Sequence, residues 1–305
     1  MNVKDLFEKK VPHFSGKSLW DESMQNHTSL KVGGWVQAVL YPAHELELEQ
    51  LLTFLHAYKI PFYVFGDGSN VLFMDERFEG VVINVNAFQQ LSVERTSRES
   101  AIVFVGAGLS KQKLLFWAIQ HGWGGLEFLA GIPGQVGGGI YMNAGTHLGD
   151  FSRVVKKVYL ITKKGEKLER EVSEKDFCYR GQHFCKDHIL IGADLQVVHR
   201  DPAVMQTVVS EMIQERKRIQ PLKAATCGST FKNPNGNYAG KIIEACGLKG
   251  LTIGGAMISK KHANFIENIN HARAADVFQL MNEVKNAVRQ QMNVELQEEV
   301  MVVRS

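Results

Sequence analysis

The amino-acid sequence predicts an α+β protein with more than one domain. Strand and helix patterns alternate between residues 35 and 85, β-rich sequence dominates 150–198, and a helix-rich part follows the dipeptide at 201–202. The chain has 305 residues, of which 45% are hydrophobic and 22% charged. A chain of this size and composition can bury a large core and divides naturally into two or three domains.

The first segment has the pattern of a β-α-β unit. Strand-like sequence at 35–42 is followed by a stretch with apolar residues at helical spacing at 44–59, and then by two further strand patterns at 62–66 and 80–85. The sequence GDGSN, at 66–70, forms the turn after the second strand. A glycine-rich turn at the carboxyl end of a strand is a common ligand site in α/β folds.

The second segment combines a helix with several strands. We predict a strand at 102–108 and a helix at 111–121 that ends at Gly122. The sequence KKGE, at 163–166, lies between two strand patterns and indicates a hairpin. A buried strand is expected at 188–198.

The third segment begins after Asp201-Pro202 with an amphipathic helix that Pro221 stops. An irregular stretch, a short helix, a strand broken by glycines and a long helix at about 272–292 follow, and the chain closes with a strand pattern. We therefore predict a first domain at 28–198 with lobes at about 28–88 and 89–198, a second domain at 203–291, and a closing strand within 292–305.

Composition and charge exclude several classes of protein. The net charge is +3 and the basic residues form no long block, which gives little support to nucleic-acid binding. The N-terminal sequence lacks the apolar core of a secretory signal, and no apolar run approaches the roughly 18 residues of a membrane span. We expect a cytoplasmic protein whose cysteines are free thiols, without a metal site: Cys178, Cys185, Cys227 and Cys246.

Glycine is concentrated between Gly122 and Gly145, where nine of 24 residues are glycine against 28 in the whole chain of 305. Glycines let backbone N–H groups approach a ligand closely, so this segment can wrap a pyrophosphate without charged side chains. The alternative is a tightly packed structural loop. The turn at 66–70 follows the same principle, with Ser69 and Asn70 as hydrogen-bonding side chains, although such turns also occur without a ligand.

Neither glycine cluster is a familiar nucleotide-binding motif. Val71 stands where a Rossmann fingerprint starting at Gly66 requires its last glycine. The sequence GNYAGK, at 236–241, is one residue short of a Walker A loop and is followed by Ile242 instead of serine or threonine. A dinucleotide, if one is bound, is held in another way.

Seven sequence blocks together resemble one enzyme family. GDGSNVL, AGIPGQVGGGIYMNAG, a Tyr-Arg pair, QPL followed by CGSTFKNP, AGKIIEACGLKG, GGAMISKKHANFIEN and ELQEEV occur in the order seen in UDP-N-acetylenolpyruvoylglucosamine reductases. The resemblance covers nearly the whole chain. It implies a two-lobed FAD-binding domain of the vanillyl-alcohol oxidase type, which has no Rossmann fingerprint, and a C-terminal α+β substrate domain.

The resemblance also implies ligands and chemistry. The substrate would be a UDP-sugar enolpyruvate, reduced with NADPH through non-covalent FAD during peptidoglycan precursor synthesis. The chain is similar to the shorter family form, which lacks a loop with a substrate-clamping tyrosine, so other groups must close over the substrate. The residues implied to surround FAD are Gly66, Asp67, Gly68, Ser69, Asn70, Gly131, Ile132, Pro133, Gly134, Val136, Gly137, Gly138, Asn143, Ala144 and Gly145.

Three residues match the family's catalytic trio: Arg180, Ser229 and Glu299. Without the resemblance they would be interpreted as a surface arginine, a turn serine and an exposed acid. Hydride addition to an enolpyruvyl ether leaves an enolate-like charge that must be stabilised and then protonated. Arg180 suits the first task, Ser229 the proton donation, and Glu299 the orientation or polarisation of the enolpyruvyl group.

Basic and amide groups near Ser229 suit a UDP diphosphate. We predict substrate contacts for Arg216, Lys232 and Asn233; the alternative for Arg216 is a solvated helix end favoured by the helix dipole. Cys227 is interpreted as a packing residue.

The chain departs from the family pattern at a few positions. Gln182 stands where a serine is usual, and the residues before Gly228 and at Glu298 also differ, while the trio itself is intact. Two rival functions remain at this point. The first is another FAD oxidoreductase of the same fold, such as an alcohol or hydroxy-acid oxidase, and the Ser229 block disfavours it. The second is a non-catalytic flavin-binding module, which the presence of all three polar residues disfavours.

Overall fold

The computed structural model describes residues 3–304 and separates into two compact units. The first unit comprises residues 1–20, 37–66 and 80–214, and the second comprises 21–36, 67–79 and 215–305. The domain bounds predicted from the sequence stay a prediction, because units defined by packing need not coincide with domains. Two short segments from the N-terminal quarter pack with the C-terminal part, which no periodicity in the sequence indicates.

The helices and strands are as follows. The α-helices are α1 (Val3–Lys10), α2 (Glu45–Ala57), α3 (Lys111–His121), α4 (Val136–Tyr141), α5 (Pro202–Ile219), α6 (Ala239–Ala245) and α7 (Ala274–Met292). The strands are β1 (Lys17–Ser23), β2 (Trp35–Tyr41), β3 (Phe62–Phe65), β4 (Val71–Phe73), β5 (Phe78–Asn84), β6 (Leu91–Thr96), β7 (Ser100–Gly106), β8 (Trp123–Gly124), β9 (Gly145–Thr146), β10 (Gly149–Asp150), β11 (Val155–Thr162), β12 (Lys167–Glu171), β13 (Phe177–Cys178), β14 (Gly181–Gln182), β15 (His188–His199), β16 (Thr252–Ile253), β17 (Ala256–Ile258), β18 (Ile266–Asn268) and β19 (Met301–Val303). Among residues 3–304, no helix combines the length and the apolar character that a bilayer crossing requires.

The first sheet has four strands in the order β1-β2-β5-β3, with β3 and β5 parallel. Helix α2 forms because Leu48, Leu51, Leu52 and Leu55 recur at helical spacing and are all fully buried against this part of the core. The imidazole of His44 caps the helix by accepting a hydrogen bond from the backbone of Glu47. The predicted succession of strand, helix and strand is confirmed, although β2 and β3 flank β5 instead of pairing with each other.

The second sheet is antiparallel in the order β12-β11-β15-β7-β6, with β8 added to the end of β15. The hairpin predicted at 163–166 is confirmed, since β11 and β12 pair and Gly165 has φ +91° in their turn. Helix α3 ends at Gly122, whose φ of +69° is the left-handed cap that the sequence predicts. Helix α4, in contrast, was not predicted. Its three consecutive glycines have low helix propensity, and packing in the core overrides that propensity.

The second unit is built around a three-stranded antiparallel sheet, β16-β17-β18, and helices α6 and α7. The long helix predicted at 272–292 is confirmed as α7, which ends at Asn293 in the left-handed conformation. The closing strand is shorter than the pattern suggested: among residues 293–304, only β19 is a strand, and it pairs in parallel with β4. Strand β4 escaped sequence analysis because three apolar residues are too few to show a period.

The four cysteines are all free thiols, as predicted. Cys185 and Cys227 are buried, and burial raises the pKa of each thiol to about 12. A thiol with this pKa stays protonated at neutral pH and is a poor nucleophile. The burial of Cys227 agrees with its interpretation as a packing residue.

Candidate active site

Arg180 lies at the tip of a tight hairpin in the first unit. Strands β13 and β14 pair so that Tyr179 and Arg180 are the two residues of the turn. Arg180 has φ +56°, a left-handed conformation that costs a residue with a side chain about 1–2 kcal/mol. Its Nη2 donates a long hydrogen bond of 3.4 Å to the carbonyl of Gly145, and its guanidinium carbon lies 5.0 Å from the centre of the Tyr179 ring. The turn therefore directs the guanidinium toward the end of the glycine-rich segment.

Asn143 connects the glycine-rich segment to this hairpin. Its side-chain Nδ2 donates to the carbonyl of Cys178 at 3.1 Å, and its Oδ1 accepts from the backbone N–H of Ser152 at 3.0 Å. Asn143 is buried and has φ +41°. In the structure this side chain holds two protein segments together, and the cofactor contact that the sequence suggested for Asn143 stays a prediction.

The three glycines of α4 face different surroundings. A Cβ on Gly137 would lie 2.8 Å from the Cβ of Ala107, and one on Gly139 would strike the ring of Phe151. A Cβ on Gly138 would meet no protein atom within 4 Å. Gly137 and Gly139 are therefore packing residues, and Gly138 alone of the three opens to the outside of the unit.

Other residues of this segment that were predicted to bind the cofactor also contribute to the structure of the loop, and their cofactor contacts stay predictions. Val136 lies in the core, and its N–H donates to the carbonyl of Leu109 while that of Gly137 donates to Ala107. Gly131 and Gly134 have φ of +70° and +95°, so the turn between them requires glycine. Ile132 and Pro133 form the partly exposed middle of that turn. Ala144 is half-buried, and a Cβ on Gly145 would strike atoms of β10.

Gly66 and Gln135 lie together in the first unit. The carbonyl of Gly66 accepts a hydrogen bond of 2.8 Å from the side chain of Asn84, and a Cβ on Gly66 would strike Oε1 of Gln135. Gln135 is buried, and its Nε2 contacts the side-chain oxygen of Asn86. Within the part of the chain that the structure describes, its Oε1 is buried without a hydrogen-bond partner. An acceptor in this position suits an N–H donor of a ligand.

The rest of the turn, Asp67 to Asn70, belongs to the second unit. Gly68 has φ +64°, and its carbonyl accepts from the N–H of Ser29 at 3.0 Å, while Asp67 is exposed and Ser69 half-buried. The side-chain Nδ2 of Asn70 donates to the carbonyl of Glu299 at 3.1 Å. Asn70 therefore fixes the backbone of a predicted catalytic residue.

Ser229 and Glu299 come together in the second unit on neighbouring extended segments. Ser229 pairs with Phe265, and Phe231 pairs with Glu298, both in antiparallel bridges. The N–H of Glu299 donates to the carbonyl of Thr230 at 2.8 Å. The side chains of Ser229 and Glu299 are both half-buried, so a ligand at the surface of the unit can reach them.

Asn264 supports this arrangement, and sequence analysis did not single it out. Its Oδ1 accepts from the N–H of Phe231 at 2.9 Å, its Nδ2 donates to the carbonyl of Phe231 at 2.8 Å, and its own carbonyl accepts from Thr230 at 2.8 Å. Asn264 is only 3% exposed, and its hydrogen bonds to Thr230 and Phe231 fix the backbone of the segment that contains Ser229. The only signal in the sequence is its place in the block GGAMISKKHANFIEN.

The residues predicted to bind the diphosphate lie in the same unit. Asn233 uses its Oδ1 to accept from the N–H of Ala239 at 3.0 Å, and the N–H of Lys232 donates to the carbonyl of Gln297 at 2.8 Å. Arg216 is half-buried near His262. Burial, followed by the charges of Lys249 and Arg216, lowers the pKa of His262, so the imidazole is neutral at pH 7.

Gln182, which stands two residues after Arg180 in the first unit where the family pattern has a serine, accepts hydrogen bonds from the backbone N–H groups of Phe184 and Cys185 at 2.7 and 2.6 Å.

Family models match most of the chain. Residues 220–303 match the model of the UDP-N-acetylenolpyruvoylglucosamine reductase C-terminal domain, and residues 36–170 match an FAD-binding domain. A Bacillus subtilis protein named UDP-N-acetylenolpyruvoylglucosamine reductase is 35% identical over 99% of this chain and 97% of its own length. The chain belongs to the UDP-N-acetylenolpyruvoylglucosamine reductase family. A Syntrophus aciditrophicus protein of the same name is 38% identical over 95% of this chain and 93% of its own.

Solved structures agree with this family. The crystal structure of UDP-N-acetylenolpyruvylglucosamine reductase (MurB) from Thermus caldophilus superposes with a TM-score of 0.79 and 32% identity, covering 95% of this chain and 99% of that one. Berberine bridge enzyme from Eschscholzia californica shares the fold, with a TM-score of 0.50 and 14% identity over 65% of this chain and 43% of its own. The predicted fold class, an FAD-binding domain of the vanillyl-alcohol oxidase type with a C-terminal α+β domain, is confirmed. The chain is therefore an FAD-dependent oxidoreductase. Its similarity to berberine bridge enzyme is limited to the fold.

The first unit fits FAD at two points. The open face at Gly138 leaves room for a group that a side chain would displace, and Oε1 of Gln135 offers a buried acceptor. Tyr141, three residues after Gly138, lies on the same face of α4 and is 38% exposed. Sequence analysis missed Tyr141 because its relation to Gly138 is visible only once α4 is known to be a helix.

Replacing Gly138 by valine is expected to lower the FAD content of the purified protein while leaving it folded. A Cβ at this position would meet no protein atom within 4 Å, and valine has a higher helix propensity than glycine. The branched side chain would instead occupy the space left for the cofactor. Flavin absorbance per chain and circular dichroism measure the two effects, and Gly138→Ala should give an intermediate FAD content. A folded valine variant that is fully loaded with FAD would show that the open face at Gly138 does not hold the cofactor.

Proposed function

We propose that the chain reduces UDP-N-acetylglucosamine enolpyruvate to UDP-N-acetylmuramate with NADPH, as a cytoplasmic step of peptidoglycan precursor synthesis. The observation that carries the proposal is the family match over nearly the full length, together with Ser229 and Glu299 on neighbouring segments. When bound, FAD supplies the redox chemistry by accepting hydride from NADPH and passing it to the enolpyruvyl carbon.

Arg180 is proposed to stabilise the negative charge that develops on the substrate carboxylate and the adjacent carbon. A guanidinium can bind a carboxylate through two parallel hydrogen bonds, and it stays charged throughout the pH range of the reaction. The left-handed backbone of Arg180 is consistent with this role, because sparsely populated backbone conformations cluster at active sites.

Ser229 is proposed to donate the proton that completes the reduction. A hydroxyl rarely loses its proton in water, but it can donate to a strongly basic carbanion held in contact. The backbone around Ser229 supports precise positioning, since Asn264 and the segment at 297–299 hold both of its sides. A proton donor held in one geometry needs no reorganisation when the charge appears.

Glu299 is proposed to orient the enolpyruvyl group or to polarise it. Its backbone is held from two directions, by the carbonyl of Thr230 and by the side chain of Asn70. Lys232, Asn233 and Arg216 are proposed to contact the diphosphate of the UDP-sugar. We propose that NADPH reacts and leaves before the enolpyruvyl substrate binds.

An anaerobic titration tests this function. NADPH should bleach the flavin absorbance of the purified protein, and UDP-N-acetylglucosamine enolpyruvate should then restore it with formation of UDP-N-acetylmuramate. Reoxidation by molecular oxygen but not by the enolpyruvate would instead favour an oxidase of the same fold.

The purified protein is expected to be yellow and to contain one FAD per chain, released intact by heat or acid. The glycine-rich segments offer hydrogen bonds and space, and the sequence shows no recognisable histidine or cysteine for covalent attachment. Absorbance of the supernatant after denaturation gives both the amount and the attachment. Flavin that stays with the precipitated protein would contradict the non-covalent mode, and protein that takes up no FAD would contradict the cofactor assignment.

A further inference from the structure

The first unit contains a cavity of about 350 Å³ beside the end of β15. Two strands pair with this part of β15: β11 up to Leu195, and β8 at Val198 and His199. None of the residues assigned above to FAD, to the substrate or to catalysis lines the cavity. A cavity of this volume can hold a small organic molecule.

Part of the cavity wall is apolar. Phe128, Leu148 and Val198 contribute side chains to it. Phe128 is only 2% exposed and packs edge-on against Phe151, with the ring centres 5.3 Å apart, so the core fixes this side of the wall. Leu148 is half-buried and Val198 is 47% exposed. A bound molecule with a hydrocarbon part would cover this apolar surface and gain from its burial.

The polar side chains at the cavity are those of Arg153 and Gln196, and both are exposed. Across residues 3–304, the guanidinium of Arg153 forms no ion pair. The carboxylate of Glu127, next to Phe128 in the chain, is bound instead by Nη1 of Arg200 at 2.8 Å and by the N–H of Gly125 at 2.7 Å. The charge of Arg153 is therefore available to an anionic ligand.

The segment from Asn143 to Arg153 connects the cavity to the hairpin that contains Arg180. The carbonyl of Gly145, near the start of the segment, accepts the hydrogen bond from Arg180, and Arg153 lines the cavity at its end. The side chain of Asn143 accepts from the N–H of Ser152 at 3.0 Å, which joins the two ends of the segment. A ligand that contacts Arg153 therefore acts on a segment that positions Arg180.

We infer that this cavity binds a small amphipathic carboxylate and that its occupancy changes the rate of the step that uses Arg180. The guanidinium of Arg153 binds the carboxylate through two parallel hydrogen bonds, and the apolar wall covers the hydrocarbon part. The binding site goes beyond the proposed function. The effect on rate rests on it, because that function assigns Arg180 to the reaction with the enolpyruvyl substrate.

A cavity that holds only solvent is the competing explanation, and it predicts no saturable binding. The experiment measures binding of 3-phenylpropionate to the FAD-loaded full-length protein by calorimetry and ligand-observed NMR. We expect saturable binding with a Kd on the order of a few millimolar, as is typical of so small a ligand. 3-Phenylpropionamide has the same shape without the charge and should bind about fivefold more weakly.

Three variants locate the bound probe. Arg153→Gln should weaken binding of 3-phenylpropionate about fivefold and leave binding of the amide unchanged. Val198→Phe should abolish binding of both, because the larger side chain fills the cavity from its exposed side. Arg289→Gln removes an exposed guanidinium of α7 in the second unit and is the matched control, which should bind both probes as the native protein does. FAD content and melting temperature confirm that each variant is folded.

Stopped-flow kinetics give a second readout. With the enolpyruvyl substrate saturating, so that competition for its site is excluded, 3-phenylpropionate should change the rate of flavin reoxidation at least about twofold in the native protein and not in Val198→Phe.

Absence of saturable binding, equal binding of the acid and the amide, or equal binding of the acid to the native protein and to Arg153→Gln would overturn the site. Binding that leaves the reoxidation rate unchanged would overturn the connection to Arg180. A native protein that does not reduce the enolpyruvate would contradict the proposed function, and the binding measurements would still decide the site.

Discussion

Replacing Arg180 by lysine is expected to lower the rate of flavin reoxidation by the enolpyruvyl substrate by on the order of a hundredfold, although the charge is kept. An ammonium is a point charge and cannot reproduce the planar, two-pronged contact of a guanidinium with a carboxylate. The lysine ammonium also lacks the flat surface that rests near the Tyr179 ring at 5.0 Å. Stopped-flow measurement of the two half-reactions gives the effect directly.

Arg180→Gly provides the matched control for the fold. Glycine adopts the left-handed conformation of Arg180 without the steric cost of about 1–2 kcal/mol, which offsets the larger backbone entropy that glycine loses on folding. We therefore expect a melting temperature no lower than that of the native protein, together with loss of turnover. Near-normal turnover of Arg180→Lys would show that Arg180 acts only through long-range charge or lies outside the site.

The parts of the fold that the sequence predicted are those with a local physical signal. Helix α2 has four buried leucines at helical spacing, and α3 ends at Gly122, a glycine cap that is visible in the sequence. The parallel pair of β4 and β19 has no such signal, because its two strands of three residues lie more than 200 positions apart. Pairing over that distance depends on the packing of the second unit and cannot be predicted from a short window of sequence.

The sequence marks the predicted site as a region, and it does not indicate the individual contacts of its side chains. Glycine density marked the segment at 122–145, yet only the structure separates Gly138, which is open, from Gly137 and Gly139, which are packed. Asn70 and Asn143 were predicted to contact the cofactor, and those contacts stay predictions; in the structure the side chains of both residues donate to backbone carbonyls. A polar side chain near a ligand site can bind either the ligand or the protein backbone. The sequence does not indicate which of these two partners a given side chain binds.

Replacing Ser229 by alanine is expected to separate the two halves of the reaction. Flavin reduction by NADPH requires no proton from Ser229 and should stay close to the native rate. Reoxidation by the enolpyruvyl substrate should slow by on the order of a hundredfold or more, which is the usual contribution of a positioned general acid. Stopped-flow absorbance under saturating substrate measures both rates. In deuterated solvent, native protein should place one solvent-derived deuterium on the carbon adjacent to the one that receives hydride.

The neighbouring hydroxyl of Thr230 offers a matched control for this variant. Thr230 is 1% exposed, and across residues 3–304 its Oγ1 has no hydrogen-bond partner, so Thr230→Val removes a hydroxyl of the same segment at nearly constant shape. We expect both half-reactions of Thr230→Val to remain near native, with stability equal or higher, because a buried unpaired hydroxyl is lost. If Ser229→Ala reoxidises as fast as Thr230→Val, Ser229 is not the proton donor and Glu299 becomes the better candidate. If the rates of both half-reactions fall by the same factor in Ser229→Ala, the substitution acts on the flavin site and not on protonation of the substrate.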